Sequence, residues 1–146
     1  MEAVEAGTGA PNRRGLPFWA NYQVGLLAAQ FLFGMAVNLL GFGDETKGTA
    51  KVFSTVFLVI HFVIALALLV GAIVALVQAR KSAPRFNGLA LTGVIVVALT
   101  VIVGFATMAA DNDWLSYLMA VGFIVSLMLY VSMLVRLNRT VAPPTA

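Results

Sequence analysis

The sequence predicts an all-α protein, a four-helix transmembrane bundle in up-down-up-down order, and three observations predict it. The first is composition: of 146 residues, 61% are hydrophobic and 10% charged, where a soluble domain carries about 25% charged residues. A soluble domain this small needs a polar shell over most of its surface, and nine basic and six acidic residues cannot supply one. The second is continuity. Four apolar runs, Phe18 to Leu40, Val52 to Val77, Leu89 to Ala110 and Trp114 to Val135, are each long enough for a helix rising about 1.5 Å per residue to cross a hydrocarbon core of about 30 Å. The runs do not alternate as barrel strands would. The third is charge placement, which follows the ends of these runs.

Residues 1–17 form the first element, an N-terminal tail without apolar periodicity, expected to be mobile. The transmembrane domain follows over 18–136, with spans at about 18–40, 53–77, 88–110 and 114–136, and residues 137–146 form a Pro-containing second tail. The first run is longer than the 7–15 residues of a signal-peptide core and lacks an A-x-A site, so no cleavage is expected. Gly41 to Lys51 is a Gly-rich charged loop. Gln78 to Asn87 carries Arg80, Lys81 and Arg85, and Pro84 prevents a helix from running through. Asp111-Asn112-Asp113 is a tight polar turn in which Asp113 is placed to cap the fourth helix. Such short links favour helical hairpins.

Seven of the nine basic residues, Arg13, Arg14, Arg80, Lys81, Arg85, Arg136 and Arg139, fall on one side of this topology, and Lys47 and Lys51 on the other. The positive-inside rule then puts both termini in the cytoplasm of a multi-pass protein, with a bacterial inner membrane as the expected location. Trp19 and Tyr22 fall at the inner boundary and Trp114 and Tyr117 at the outer one, as interfacial aromatic residues do. The net charge of +3 reflects this flanking pattern, and no basic and aromatic interleaving suited to nucleic acid is present. The absence of cysteine excludes disulfides, zinc-thiolate and iron–sulfur sites and thiol catalysis.

A polar side chain in hydrocarbon costs free energy unless it finds a partner, so the few polar residues within the runs carry the functional information. Gln30, Gly34 and Asn38 share a helix face by their spacing of four; Ser54, His61, Ala65 and Ala72 share another. Thr100, Gly104 and Thr107 line a third face, and Gly122, Ser126 and Tyr130 a fourth. Counting from the run ends, Gln30 and Thr100 sit roughly 18 Å from the inner edge and His61 roughly 12 Å from the outer one, so their depths coincide. An interior polar layer of Gln30, Asn38, His61, Thr100 and Ser126 is expected, with a hydrogen bond between Gln30 and His61.

Two readings of this layer differ in chemistry. In the first the layer is interior glue that fixes helix register. In the second His61 centres a cofactor site, since a neutral imidazole ligates haem iron and a quinone carbonyl needs a donor at such depth. His61 is the only histidine, so a second axial ligand would come from Met35, Met108, Met119 or another protomer. No metal site is expected: the Asp111-Asn112-Asp113 turn offers too few ligands. A small transporter is a third possibility, but all six acids lie in tails or loops, and Gln30, which cannot titrate, stands where small multidrug exporters carry a buried acid. No catalytic triad is plausible around a lone His61 in lipid.

The string Gln30-Phe31-Leu32-Phe33-Gly34-Met35-Ala36-Val37-Asn38-Leu39, followed by His61 in the next span, resembles an uncharacterised family of small four-span bacterial integral membrane proteins. The resemblance covers the first half of the chain. Some such proteins carry a Gln and a His in the second half as well, where Thr100 and the region from Ser126 to Tyr130 stand here. The resemblance implies the topology and no activity. The expected function is a non-enzymatic accessory or stabilising membrane component, with no cofactor, whose partners are the lipid bilayer and other membrane proteins or further copies of itself. A haem- or quinone-binding redox protein centred on His61 is the alternative.

Overall fold

In the computed structural model of the chain the described residues are 15–41, 47–110 and 112–139, Asp113 by its backbone alone. They form four helices, α1 (Gly15–Leu40), α2 (Gly48–Ser82), α3 (Asn87–Ala109) and α4 (Asp113–Arg139), with a 3-10 turn at Pro84–Phe86 and no strand among the described residues. All four are long and apolar enough to cross a membrane. The tails before Gly15 and after Arg139, Phe42 to Thr46 and Asp111 lie outside the described residues, and with them the expected positions of Arg13, Arg14, Asp44, Glu45 and Asp111.

The helices end where backbone chemistry requires. Gly41 takes φ +82° after the last turn of α1, a left-handed position that glycine occupies without a Cβ penalty. Ala83 breaks α2 at φ −149°, ψ 65°, because the ring of Pro84 disfavours the helical conformation of the residue before it. Pro84 then opens the 3-10 turn, which Phe86 N–H closes on Ala83 O at 2.9 Å. α4 is capped by Asn112, whose Oδ1 accepts from Trp114 N–H at 3.0 Å. The side chain of Asp113, to which the sequence assigns the capping role, lies outside the described residues.

α1 packs on α2 and α4, and α3 packs on the same two helices, so the four close a ring. Contacts fix the relative heights. Gln23 meets Leu68 and Gln30 meets His61 between α1 and α2. A Cβ at Gly93 would meet Tyr130, and Gly104 faces Met119, between α3 and α4. In both pairs residue numbers rise on one helix as they fall on the other, so each pair is antiparallel. Phe62 and Phe105 tie α2 to α3 at 5.3 Å between ring centroids, and Phe31 and Phe123 tie α1 to α4 at the same separation.

The core follows one spacing on all four helical segments. The repeating buried residues are Leu16, Ala20, Gln23 and Leu27; Leu68, Ala72, Ala75 and Ala79; Phe86, Ala90, Gly93 and Val97; and Ser126, Tyr130, Met133 and Leu137, with Gly71 and Ser54 buried besides. Each set steps by four, three and four residues, the 3.5-residue period of helices packed with a slight left-handed supercoil. The contact heights stack them into four layers: Leu16, Ala79, Phe86 and Leu137 at one end, then Ala20, Ala75, Ala90 and Met133, then Gln23, Ala72, Gly93 and Tyr130, then Leu27, Leu68, Val97 and Ser126. Small residues on α2 and α3 let the backbones approach closely.

This core revises the element boundaries. Leu16, placed in the N-terminal tail by the sequence, lies in α1 and is 1% exposed; Leu137, placed in the C-terminal tail, lies in α4 and is 7% exposed. Both continue the heptad past the apolar runs that set the expected boundaries. α2 also outruns its apolar stretch at both ends, beginning at Gly48 and reaching Ser82, about 50 Å of helix. Pro17 falls in the first turn of α1, where its missing N–H breaks no bond.

Candidate functional site

His61 and Gln30 meet at mid-height between α1 and α2. The Gln30 side-chain nitrogen lies 2.9 Å from His61 Nε2, and His61 Nδ1 lies 3.1 Å from the Gln30 backbone oxygen. A carbonyl can only accept, so Nδ1 carries the proton and donates to it. In a neutral imidazole Nε2 is then the acceptor, and the Gln30 amide donates. Both ring nitrogens are committed to one residue. Gly34, one turn beyond Gln30, makes room: a Cβ there would lie 2.9 Å from His61 Cε1.

Two further polar links join the same helices at heptad intervals along α2. Gln23 Nε2 donates to Leu68 O at 2.8 Å, seven residues from His61. Ser54 Oγ donates to Gly41 O at 2.6 Å, seven residues the other way. Side chains from α1 and α2 thus reach each other's backbone carbonyls in turn. Gly71 admits the Gln23 amide, since a Cβ there would approach Nε2 to 2.7 Å.

The other expected members of the layer divide. Thr100 is half-buried at about the height of His61, but its hydroxyl donates to Val96 O of its own helix at 2.7 Å. It packs on Gly122, where an added Cβ would collide with Thr100 Oγ1. Ser126 is buried at 1% exposure, slightly nearer the close-packed end. Asn38 does not belong to the interior: it is exposed, on the outward face with Leu39. Its spacing of four from Gly34 was misleading because the observed inward period is 3.5 residues, and eight residues beyond Gln30 the face has rotated away.

Gln23 is not anticipated by the sequence, whereas Tyr130 lies inward with Gly122 and Ser126, the face the sequence assigns it. Both are fully buried, and each has an oxygen, Gln23 Oε1 and Tyr130 Oη, without a hydrogen-bond partner in the protein. The spacing of seven between Gln23 and Gln30 was the available signal. The sequence reading treated Gln23 only as an interruption of the apolar run.

The chain matches no family model, no curated protein and no solved structure. Its chemistry must be read from the side chains. Haem ligation at His61 would require the Gln30 amide to leave Nε2, whose lone pair it occupies. Of the candidate second ligands, Met35 and Met108 are half exposed on outer faces, and Met119 lies against Gly104 in the α3–α4 pair. A quinone carbonyl needs a donor; His61 Nδ1 is spent on the Gln30 carbonyl, and the Gln30 amide keeps one N–H beside its unpartnered acceptor Oε1. Among the described residues no three His, Asp or Glu side chains cluster as metal ligands.

Proposed function

We propose that this chain is a multi-pass protein of the bacterial inner membrane, with up-down-up-down topology and both termini in the cytoplasm, that acts by association: an accessory or stabilising component of other membrane proteins. The observation that carries this reading is the engagement of both His61 nitrogens by Gln30, which makes the one intramembrane imidazole a fastener between α1 and α2. The Gln23–Leu68 and Ser54–Gly41 contacts serve the bundle in the same way, and no acid stands within the four runs to drive proton-coupled transport. Arg80, Lys81, Arg85, Arg136 and Arg139 are all exposed at one end of the bundle, as cytoplasmic flanks are. Exposed Trp114 and Tyr117, in ring contact at 6.0 Å, mark the other end. Large apolar side chains such as Ile102, Leu32 and Met128 cover the outward faces and offer surface to lipid and to neighbouring spans.

The test is photocrosslinking in native membranes with a benzophenone residue at Ile102 or Met128, together with an absorbance spectrum and quinone extraction of the purified protein. A discrete crosslinked partner from one outward face, with no Soret band and no stoichiometric quinone, supports the reading. A Soret band or a bound quinone that His61→Ala removes refutes it in favour of a redox centre. The native lack of cysteine makes the topology testable too: Cys at Ser82 should be shielded from an impermeant maleimide in intact cells, and Cys at Lys47 should react.

A further inference from the structure

We propose that the outer groove between α3 and α4, at the basic end of the bundle, binds an anionic phospholipid, with Arg85, Arg136 and Arg139 at its phosphate and the hydroxyls of Thr92 and Ser132 at its glycerol esters. Contacts between the helices place these residues on facing flanks. Gly122 meets Thr100 of α3, and Arg136 lies two heptads beyond Gly122, so it stays on the α3 side of α4. Ser132 and Arg139 lie one turn either side of Arg136 on the same flank. On α3, Phe105 meets Phe62 of α2, and Leu91, two heptads earlier, is on the α2 side. Thr92, about 100° further round, turns toward α4, with Arg85 and Leu99 one heptad either side of it. Heights agree as well. The approach of Gly93 to Tyr130 sets Thr92 level with Val131, next to Ser132, and sets Arg136 level with Asn87, close to Arg85.

The charge at this end has no counterpart in the protein. All three arginines are exposed, and among the described residues of this end there is no carboxylate. Arg136 and Arg139, in the last turn of α4, complement its helix dipole. Arg85 does not. It lies in the 3-10 turn that opens α3, whose first turn holds no acid, so its charge adds to the positive end of that helix. Its guanidinium carbon sits 4.9 Å over the ring of Phe86, which is itself buried, and this holds the charge against the bundle wall. A phosphate diester offsets these charges and accepts the paired N–H groups that a guanidinium presents.

The hydroxyls point to a lipid rather than to free phosphate. Thr92 and Ser132 are exposed, and among the described residues neither hydroxyl has a hydrogen-bond partner. Those of Ser82, Thr100 and Thr107 instead donate to carbonyls of their own helices. Thr92 and Ser132 stand level with each other, one to two turns inward of the arginines. Ester carbonyls accept hydrogen bonds and lie beneath the phosphate of a phospholipid, at the depth of this pair. Exposed Leu99 and Val125 continue the two flanks as a wall for an acyl chain. A second copy meeting this face by two-fold symmetry would set like charges against each other.

This site rests on the membrane-spanning reading above and not on the accessory role. The test reconstitutes the full chain into vesicles of equal phosphatidylglycerol and phosphatidylcholine and identifies retained lipid by native mass spectrometry, with carbonate extraction of the same membranes alongside. Retention of phosphatidylglycerol over phosphatidylcholine is expected. Arg85→Gln combined with Arg136→Gln should lower that retention about tenfold. Thr92→Val combined with Ser132→Ala should lower it about threefold and keep the headgroup preference. Lys47→Gln, at the opposite end, should change nothing. Equal retention of the two lipids overturns the site, as does retention that survives the arginine pair unchanged. Displacement of the lipid by inorganic phosphate alone, or full retention in the hydroxyl pair, overturns the assignment to a lipid. Should the arginine variant fail to fold, the choice of the wild type between the two lipids decides. A chain that carbonate strips from the membrane defeats the spanning reading too, whereas one that stays and shows no preference defeats this site only.

Discussion

The two halves of the bundle are built differently. In the half that carries the start of α1 and the end of α4, four heptad layers are closed to the exterior, three of them with alanine or glycine on α2 or α3. In the other half only Ser54 is fully buried, and the helices meet through half-buried Gln30, His61, Thr100 and Gly122 and through stacked phenylalanines. The difference lies in how fully the layers close, since Gly34, Gly104 and Gly122 stand at helix contacts in the second half as well. In a bilayer there is no hydrophobic drive between apolar helices, so association rests on close packing and interhelical hydrogen bonds. The first half achieves that close packing in its closed layers. The second half relies on the polar links of His61 with Gln30 and of Ser54 with Gly41, while the first half adds one, Gln23 with Leu68, to its closed layers.

The sharpest way to break this comparison is to enlarge one alanine in each half. Ala75→Leu inserts bulk into a layer of Ala20, Ala90 and Met133 and should cost about 3 kcal/mol or prevent folding. Ala106→Leu, half-buried in the other half, should cost under about 1 kcal/mol. Equal losses in reversible detergent unfolding would erase the distinction.

The glycines of the second half sharpen it. Gly122→Ala drives a Cβ into Thr100 Oγ1 and should cost about 2 kcal/mol. Gly104→Ala meets only the flexible Met119 sulfur at 3.5 Å, an ordinary contact, and should cost less than about 0.5 kcal/mol. Unfolding curves for the two variants should differ in midpoint and not in slope.

His61→Ala removes both links to Gln30. Interhelical hydrogen bonds in membranes average about 0.6 kcal/mol and reach about 1.7, so a loss of about 1 kcal/mol is expected. Gln30→Leu should cost a similar amount, and the double variant less than the sum, because the two residues form one unit. Strict additivity would show that they act separately. The smallest effect belongs to Gly25, which has no heavy atom within 4 Å of an added Cβ. Gly25→Ala should be neutral or stabilising by up to about 1 kcal/mol through helix propensity, and a marked loss would reveal a neighbour on that face.

The sequence makes the four helices and the Gln30–His61 contact legible for one reason: each depends on counting. Run length against membrane thickness defines the spans, and depth from the run ends brings His61 level with Gln30. At the start of α4 the sequence offers Asn112 and Asp113 as equally capable acceptors, and the structure shows Asn112 Oδ1 accepting from Trp114 N–H. Asn38 shows the limit of extending an i, i+4 stripe over two turns when the inward period is 3.5. Gln23 stayed hidden because its burial depends on a glycine of another helix, Gly71, and no single segment displays that match, whereas Tyr130 lies on the inward Gly122–Ser126 face that the spacing shows.

The contrast between the halves is tested most directly by amide hydrogen exchange of the full chain in detergent, where local opening tracks local packing. Protection should be greatest over residues 16–27, 68–79, 86–97 and 126–137, and should fall off over 31–40, 52–60, 101–109 and 114–122. Uniform protection along every helix, or slower exchange in the second group, would contradict the account of a bundle closed by heptad packing at one end and by polar links at the other.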